Sequence, residues 1–393
     1  MSGTIRLPYK RFMAGGPARP TGVFLGGGPG VSNLDFTPPR EWLELMDVVV
    51  LEYRGVGRSS PVLDSPFFAR AMCEPITSLS LSGASRLSPL IARGFADLRA
   101  QGVVFEDFGL GAMADDIEAM RLDLGLGPVL LIAHSFGTRV AQAMQTRHRD
   151  GVRASLLLGN NSPDEGLIWM PGAIQAVWER WARSSEAAST ALGPQVSRRL
   201  LHGWDRGGRW TPADSQALIA AFFMAFSNPG RLRAIRMMLR AQAGPSPSWR
   251  LMSQFFRHGA IRMFNWADFF VKGYVIDAEP QAVAQCDAQG PGTMFASPSS
   301  VLFSALEGFH EAGGRREARE DAAGAAGTDY ARTLLVTGEF DPTTPIERWP
   351  VQVPPSHRVV LPGAGHAESL AAARQRGHRW IRGLLASPEA PLA

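Results

Sequence analysis

The chain has 393 residues, 45% hydrophobic and 19% charged, with a formal net charge of +4. That balance excludes a disordered polymer and is enough for a large buried core. No apolar run reaches the roughly 18 residues of a membrane span. No secretory h-region follows the basic residues of the N-terminus, and Cys73 and Cys286 are too few and too distant for a disulfide framework, so a cytoplasmic protein with two packed thiols is expected. Of the 40 basic residues only Lys10 and Lys272 are lysines, and the arginines are interleaved with 36 acids instead of forming a patch. Phosphate binding needs a local excess of positive charge, so no nucleic-acid partner is expected.

In chain order, Thr21–Leu25 reads as a strand entering the glycine-rich run Gly26-Gly27-Gly28-Pro29-Gly30. Asp47–Glu52 is a second strand, and its uninterrupted Val48, Val49, Val50 and Leu51 imply burial on both faces. Met113, Ile117, Met120 and Leu124 recur at helical spacing within Phe108–Leu124, with acids between them. A strand at Pro128–Ala133, a helix at Phe136–Arg147 and a strand at Val152–Leu158 follow. From about Pro163 to Tyr330 the texture turns helical and rich in Trp, Phe, Met and Arg. Strands then return at Thr333–Thr337 and His357–Leu361, before a closing helix at Glu368–Leu385. This alternation predicts an α/β fold: a mostly parallel sheet flanked by helices, formed by 1–162 and 331–393, with 163–330 inserted as a helical cap.

Three positions in this pattern could carry chemistry. Ala133-His134-Ser135-Phe136-Gly137 lies between a strand and a helix, with small residues two before and two after the serine. A nucleophile elbow needs that sharp turn to expose a hydroxyl. A serine there could equally cap the helix. Asp341 follows the Thr333–Thr337 strand, and His366 follows the next one. The order Ser135, Asp341, His366 supplies a nucleophile, an orienting acid and a base. The glycine-rich turn lets backbone N–H groups approach a substrate oxygen.

On these residues the chain resembles the α/β-hydrolases of the proline iminopeptidase and tripeptidyl aminopeptidase branch. The matching segments are Gly27-Gly28-Pro29-Gly30, Glu52 to Ser59, Asp116 to Arg121, His134 to Thr138, Gly338 to Pro345 and Gly365-His366. The resemblance implies an α/β-hydrolase fold, a helical cap, and cleavage from a free N-terminus. It also implies an oxyanion hole from the N–H groups of Gly27, with Gly28 beside it, and Phe136. The branch's cap motif Trp-x-x-Trp-Glu is incomplete, because Ala182 follows Trp178-Glu179-Arg180-Trp181. Glu307, Glu311 or Asp277 could hold a substrate ammonium instead. The expected activity is therefore a serine aminopeptidase acting on small peptides, with no cofactor, metal or membrane partner. An esterase, thioesterase or lactonase acting on a small ester is the alternative, and a non-catalytic binding protein a third reading. No H-E-x-x-H and no zinc-spaced Cys/His pair occurs.

Overall fold

The computed structural model describes residues 4–15, 19–73, 87–161, 171–184, 262–276, 308–309 and 327–387, and the single residues 247, 251 and 259. Seven strands form one sheet: β1 (Tyr9–Phe12), β2 (Thr21–Leu25), β3 (Asp47–Leu51), β4 (Val129–His134), β5 (Val152–Leu158), β6 (Thr333–Gly338) and β7 (Arg358–Leu361). Their order is β1-β3-β2-β4-β5-β6-β7. β1 runs antiparallel to β3, and every other pairing is parallel. The α-helices with defined limits among the described residues are α1 (Arg40–Leu43), α2 (Pro66–Cys73), α3 (Ser88–Ala100), α4 (Leu110–Asp123), α5 (Phe136–Arg147), α6 (Pro171–Ala182), α7 (Trp266–Phe270) and α8 (His366–Ala386).

Alternation along the strands divides the core between the two faces of the sheet. Val23, Leu25, Val49 and Leu51 pack with Met113 and Ile117 of α4 and Val140 and Met144 of α5. Phe24, Val48, Val50, Leu130 and Ile132 pack with Trp42 of α1 and Ile381 and Leu384 of α8. β3 is buried throughout, as its unbroken apolar run requires. A third cluster joins Phe68 of α2 and Ile91 and Phe95 of α3 to Trp266, Phe269 and Phe270 of α7.

Several details differ from the sequence reading. β1 and helices α2 and α3 were not anticipated. The helix expected from Phe108 begins at Leu110, because Gly109 is extended and separates it from a short 3-10 turn at Phe105–Phe108. The closing helix begins two residues early, so His366 is its first residue. Cys73 is exposed at the end of α2 and is not a packed thiol. No helix among the described residues is long and apolar enough to cross a membrane.

β5 and β6 are neighbours in the sheet although the whole 163–330 stretch separates them in sequence. Because β2, β4, β6 and β7 run the same way, the turns after their C-terminal ends share one rim of the sheet. Gly27, Ser135, Asp341 and His366 each follow one of those four ends.

Candidate active site

Ser135 sits between β4 and α5 with φ 54° and ψ −121°. It has the only positive φ among the described non-glycine residues. Holding a non-glycine residue there costs about 1–3 kcal/mol, so surrounding contacts must enforce it. They are visible. Ser135 N–H donates to the Leu158 carbonyl at the end of β5, 2.9 Å away. Its own carbonyl accepts from the Thr138 hydroxyl at 2.6 Å. A Cβ on Gly137 would lie 2.2 Å from the Leu25 carbonyl oxygen, so only glycine lets α5 approach β2 this closely. The Ser135 side chain makes no capping hydrogen bond to α5, which removes the helix-cap explanation of this serine.

Asp341 and His366 form a buried pair, with His366 Nδ1 2.7 Å from Asp341 Oδ2. Asp341 Oδ2 also accepts from the Thr344 hydroxyl at 2.6 Å. Its Oδ1 accepts the backbone N–H groups of Thr343 and Thr344, at 2.8 and 2.9 Å. Burial alone would raise this carboxyl's pKa. The adjacent His366 and the hydrogen bonds from Thr344 outweigh burial and hold it below the ordinary carboxylate value. An ionised acceptor on the Nδ1 side fixes the tautomer with its hydrogen on Nδ1, which makes Nε2 the basic nitrogen. The two loops are laced together: Phe340 N–H donates to the Ala364 carbonyl at 2.8 Å, and Gly363 N–H to the Glu339 carboxylate at 2.9 Å.

The pair and the serine meet at the end of β5. Leu158 accepts from Ser135, and a Cβ on the next residue, Gly159, would lie 2.9 Å from His366 Cε1. The ring of His134, the residue before the serine, lies against that of His366 with centroids 5.0 Å apart. Burial, and then the proximity of His366, push the His134 pKa down to about 3, so this second imidazole is neutral.

The glycine-rich turn closes the other side. A Cβ on Gly27 would lie 3.1 Å from Ser135 Cβ. Phe136 opens α5, and the first N–H groups of a helix have no intrahelical acceptor. The turn is shaped from behind by groups the sequence reading passed over. Gly26 N–H donates to Asn33 Oδ1 at 3.0 Å, and Asn33 N–H donates to the buried Glu52 carboxylate at 2.9 Å. Asn33 lies seven residues after Gly26 and Glu52 opens the second resembling segment; spacing alone ties neither to Gly26.

The described part of 163–330 touches this rim twice. Arg180 of α6 donates to the Glu339 carbonyl at 2.7 Å, two residues before Asp341, while Trp178 and Trp181 beside it are buried. Asn265 and Asp268, at the start of α7, bond to Gly30. Glu179 carries Gln175 and Arg183 as partners on the exposed face of α6. Glu307, Glu311 and Asp277 lie outside the described residues. Among the described residues no group of three or more His, Cys, Asp or Glu is placed to hold a metal ion.

A sequence profile of the alpha/beta hydrolase fold matches residues 23–370. The chain belongs to the alpha/beta hydrolase fold family. Among solved structures it is similar to a thermophilic esterase from Thermogutta terrifontis (17% identity, 98% of this chain and 95% of that one, TM-score 0.42). It is also similar to an esterase from Exiguobacterium antarcticum (13% identity, 98% and 96%, TM-score 0.39). A third is the enol-lactonase from Burkholderia xenovorans (12% identity, 97% and 96%, TM-score 0.41). Similarities this distant carry no inference about substrate. No curated protein matches the chain. The expected mostly parallel sheet flanked by helices is present in this hydrolase.

Proposed function

We propose that this hydrolase is a serine enzyme in which Ser135, His366 and Asp341 work as a triad. Ser135 Oγ attacks an acyl carbon while His366 Nε2 takes its proton, and the carbonyl electrons move onto oxygen. The N–H groups of Gly27 and Phe136 hold that oxyanion, with Gly28 shaping the turn, each donor contributing about 3 kcal/mol to the transition state. Collapse expels the leaving group, which takes the proton from His366. Water, deprotonated by the same imidazole, then releases the acyl group and restores Ser135. Asp341 stays ionised throughout and stabilises the imidazolium. The observation that carries this reading is the backbone of Ser135, strained to φ 54° with its side chain withheld from the helix it precedes.

The substrate proposed first is the N-terminal residue of a small peptide, with 163–330 as a helical cap over the rim. This follows from the resemblance carried by the Gly27 to Gly30 and Glu52 to Ser59 segments. One observation favours a small carboxylic ester instead: Ala182 stands where an ammonium-binding acid is required, and the nearby Glu179 is engaged with Arg183 and Gln175. A fluorophosphonate probe should label Ser135, and Ser135→Ala should abolish labelling. Parallel assays with aminoacyl-arylamides and short acyl esters separate the substrates. Turnover of N-blocked arylamides as fast as free ones would end the aminopeptidase reading. Absence of labelling would leave a binding protein on a hydrolase fold.

A further inference from the structure

The turn from Gly26 to Gly30 is held at its two ends by different parts of the chain. Its start is fixed locally, through Asn33 and Glu52. Its far end is fixed by α7, 238 residues away in sequence. Gly30 N–H donates to Asp268 Oδ2 at 2.9 Å, and the Gly30 carbonyl accepts from Asn265 N–H at 2.7 Å. Both polar groups of one peptide-forming residue are thus taken by the inserted segment. Gly30 has φ +87°, and a Cβ there would lie 2.6 Å from the Asn265 carbonyl oxygen, so this contact requires glycine.

The other oxygen of Asp268 is 2.6 Å from Lys272 Nζ, one of the chain's two lysines. Lys272 donates to the Arg54 carbonyl at 2.5 Å and lies 5.6 Å above the Tyr53 ring. Tyr53 closes the circuit, its hydroxyl donating to the Gly26 carbonyl at 3.3 Å. Asp268 is 0% and Lys272 1% exposed. Burial pushes the Asp268 carboxyl up and the Lys272 ammonium down, and each partner opposes the other's shift. A buried ion pair seldom outperforms an apolar pair of the same volume in stability, so its presence calls for another reason. The reason at hand is geometric, since no apolar side chain can accept the Gly30 N–H.

We propose that Asp268, with its charge balanced by Lys272, is a positioning residue that fixes the peptide at Gly30 and so aims the Gly27 N–H group at the acyl oxygen over Ser135. The proposal rests on the reading of Ser135 and Gly27 given above. Under it the inserted segment completes the oxyanion hole as well as covering it. Removing the acceptor slackens the turn and weakens stabilisation of the transition state more than of the bound substrate, so turnover falls while KM stays put.

The test compares two double variants that both delete the charges. Asp268→Asn with Lys272→Met keeps an oxygen for the Gly30 N–H, and Asp268→Leu with Lys272→Met does not. Turnover of p-nitrophenyl butyrate and alanine p-nitroanilide is measured per active site, the sites being counted by end-point fluorophosphonate labelling so that unfolded molecules drop out. The leucine variant should lose about 10- to 100-fold in kcat with KM within about twofold, and the asparagine variant should recover to within about threefold of the unaltered chain. If the leucine variant yields no folded protein, Asp268→Ala with Lys272→Met takes its place under the same criterion. Equal kcat per site in both variants overturns the proposal and leaves α7 a merely structural anchor, as does a change confined to KM or to melting temperature. An unaltered chain whose Ser135 neither labels nor supports turnover fails earlier, at the reading of the serine, and takes the positioning role with it.

Discussion

The imidazole of His134 packs in a tilted contact against that of His366, ring centroids 5.0 Å apart and planes inclined by 36°. Two imidazolium ions could not share that buried space, and burial together with His366 keeps His134 neutral down to about pH 3. The unfolded chain protonates the same ring near pH 6.5. Between those values the unfolded state binds more protons, so stability falls as the pH is lowered from 6.5 towards 3. Over the two units from pH 6.5 to 4.5 this group alone should remove about 2 kcal/mol. Urea unfolding of His134→Asn should show a flatter profile across that window. Parallel profiles would mean that the ring is accessible to protons.

Asp341 also makes stability fall with falling pH. Its carboxyl is held below the usual value despite burial, so the stability it contributes is complete above the unfolded carboxylate pKa and is lost as pH falls through the depressed one. Asp341→Asn should keep the fold near neutral pH and lower kcat by about 10³–10⁴-fold on any turned-over substrate, because an amide can stabilise the wrong imidazole tautomer. A loss of less than tenfold in steady-state kcat would remove Asp341 from the mechanism.

Thr344 gives Asp341 both a backbone and a hydroxyl hydrogen bond, and only the hydroxyl can be deleted by mutation. Thr344→Val should cost about 1.5–3 kcal/mol in stability, the usual range for a hydrogen bond to a charged group. It should also lower kcat about tenfold by freeing the carboxylate to rotate, and Thr344→Ser should restore most of both. Equal kcat in the valine and serine variants would contradict this role.

Gly137 and Gly127 form a matched steric comparison. A Cβ at Gly137 would meet two backbone oxygens, those of Leu25 and Gly26, at 2.2 and 2.6 Å, whereas one at Gly127 would meet nothing within 4 Å. Gly137→Ala should therefore destabilise by about 2–3 kcal/mol or more, since backbone atoms must move. Gly127→Ala should be neutral or stabilise by up to about 1 kcal/mol. Thermal melts of the two variants decide the point.

What could be read ahead of the structure follows the strength of local signals. β2, α5 and β5 have the predicted limits, because short, largely apolar runs bounded by turns and a sharp elbow leave few other conformations. Ser135, Asp341 and His366 were visible because each follows such a strand. β1 was invisible: Tyr9, Lys10 and Arg11 are exposed on an edge that only its pairing with β3 defines. The early start of α8 had a signal that went unused, for Gly365 N–H donates to the Glu368 carboxylate three residues on, a helix-start bond without a Ser or Thr cap. Asp268 and Lys272 carry no comparable signal. Four residues apart on a helical stretch, they fit a solvated face as well as a buried one, and only tertiary contact shows that both are buried.

Since β5 hydrogen-bonds directly to β6, the sheet closes regardless of what the chain does between them. An evolving lineage could lengthen, trim or replace most of that excursion and leave the strand-end turns of the sheet in place. On the proposed role of Asp268, that liberty stops at Asn265 and Asp268, whose bonds to Gly30 a replacement would have to reproduce.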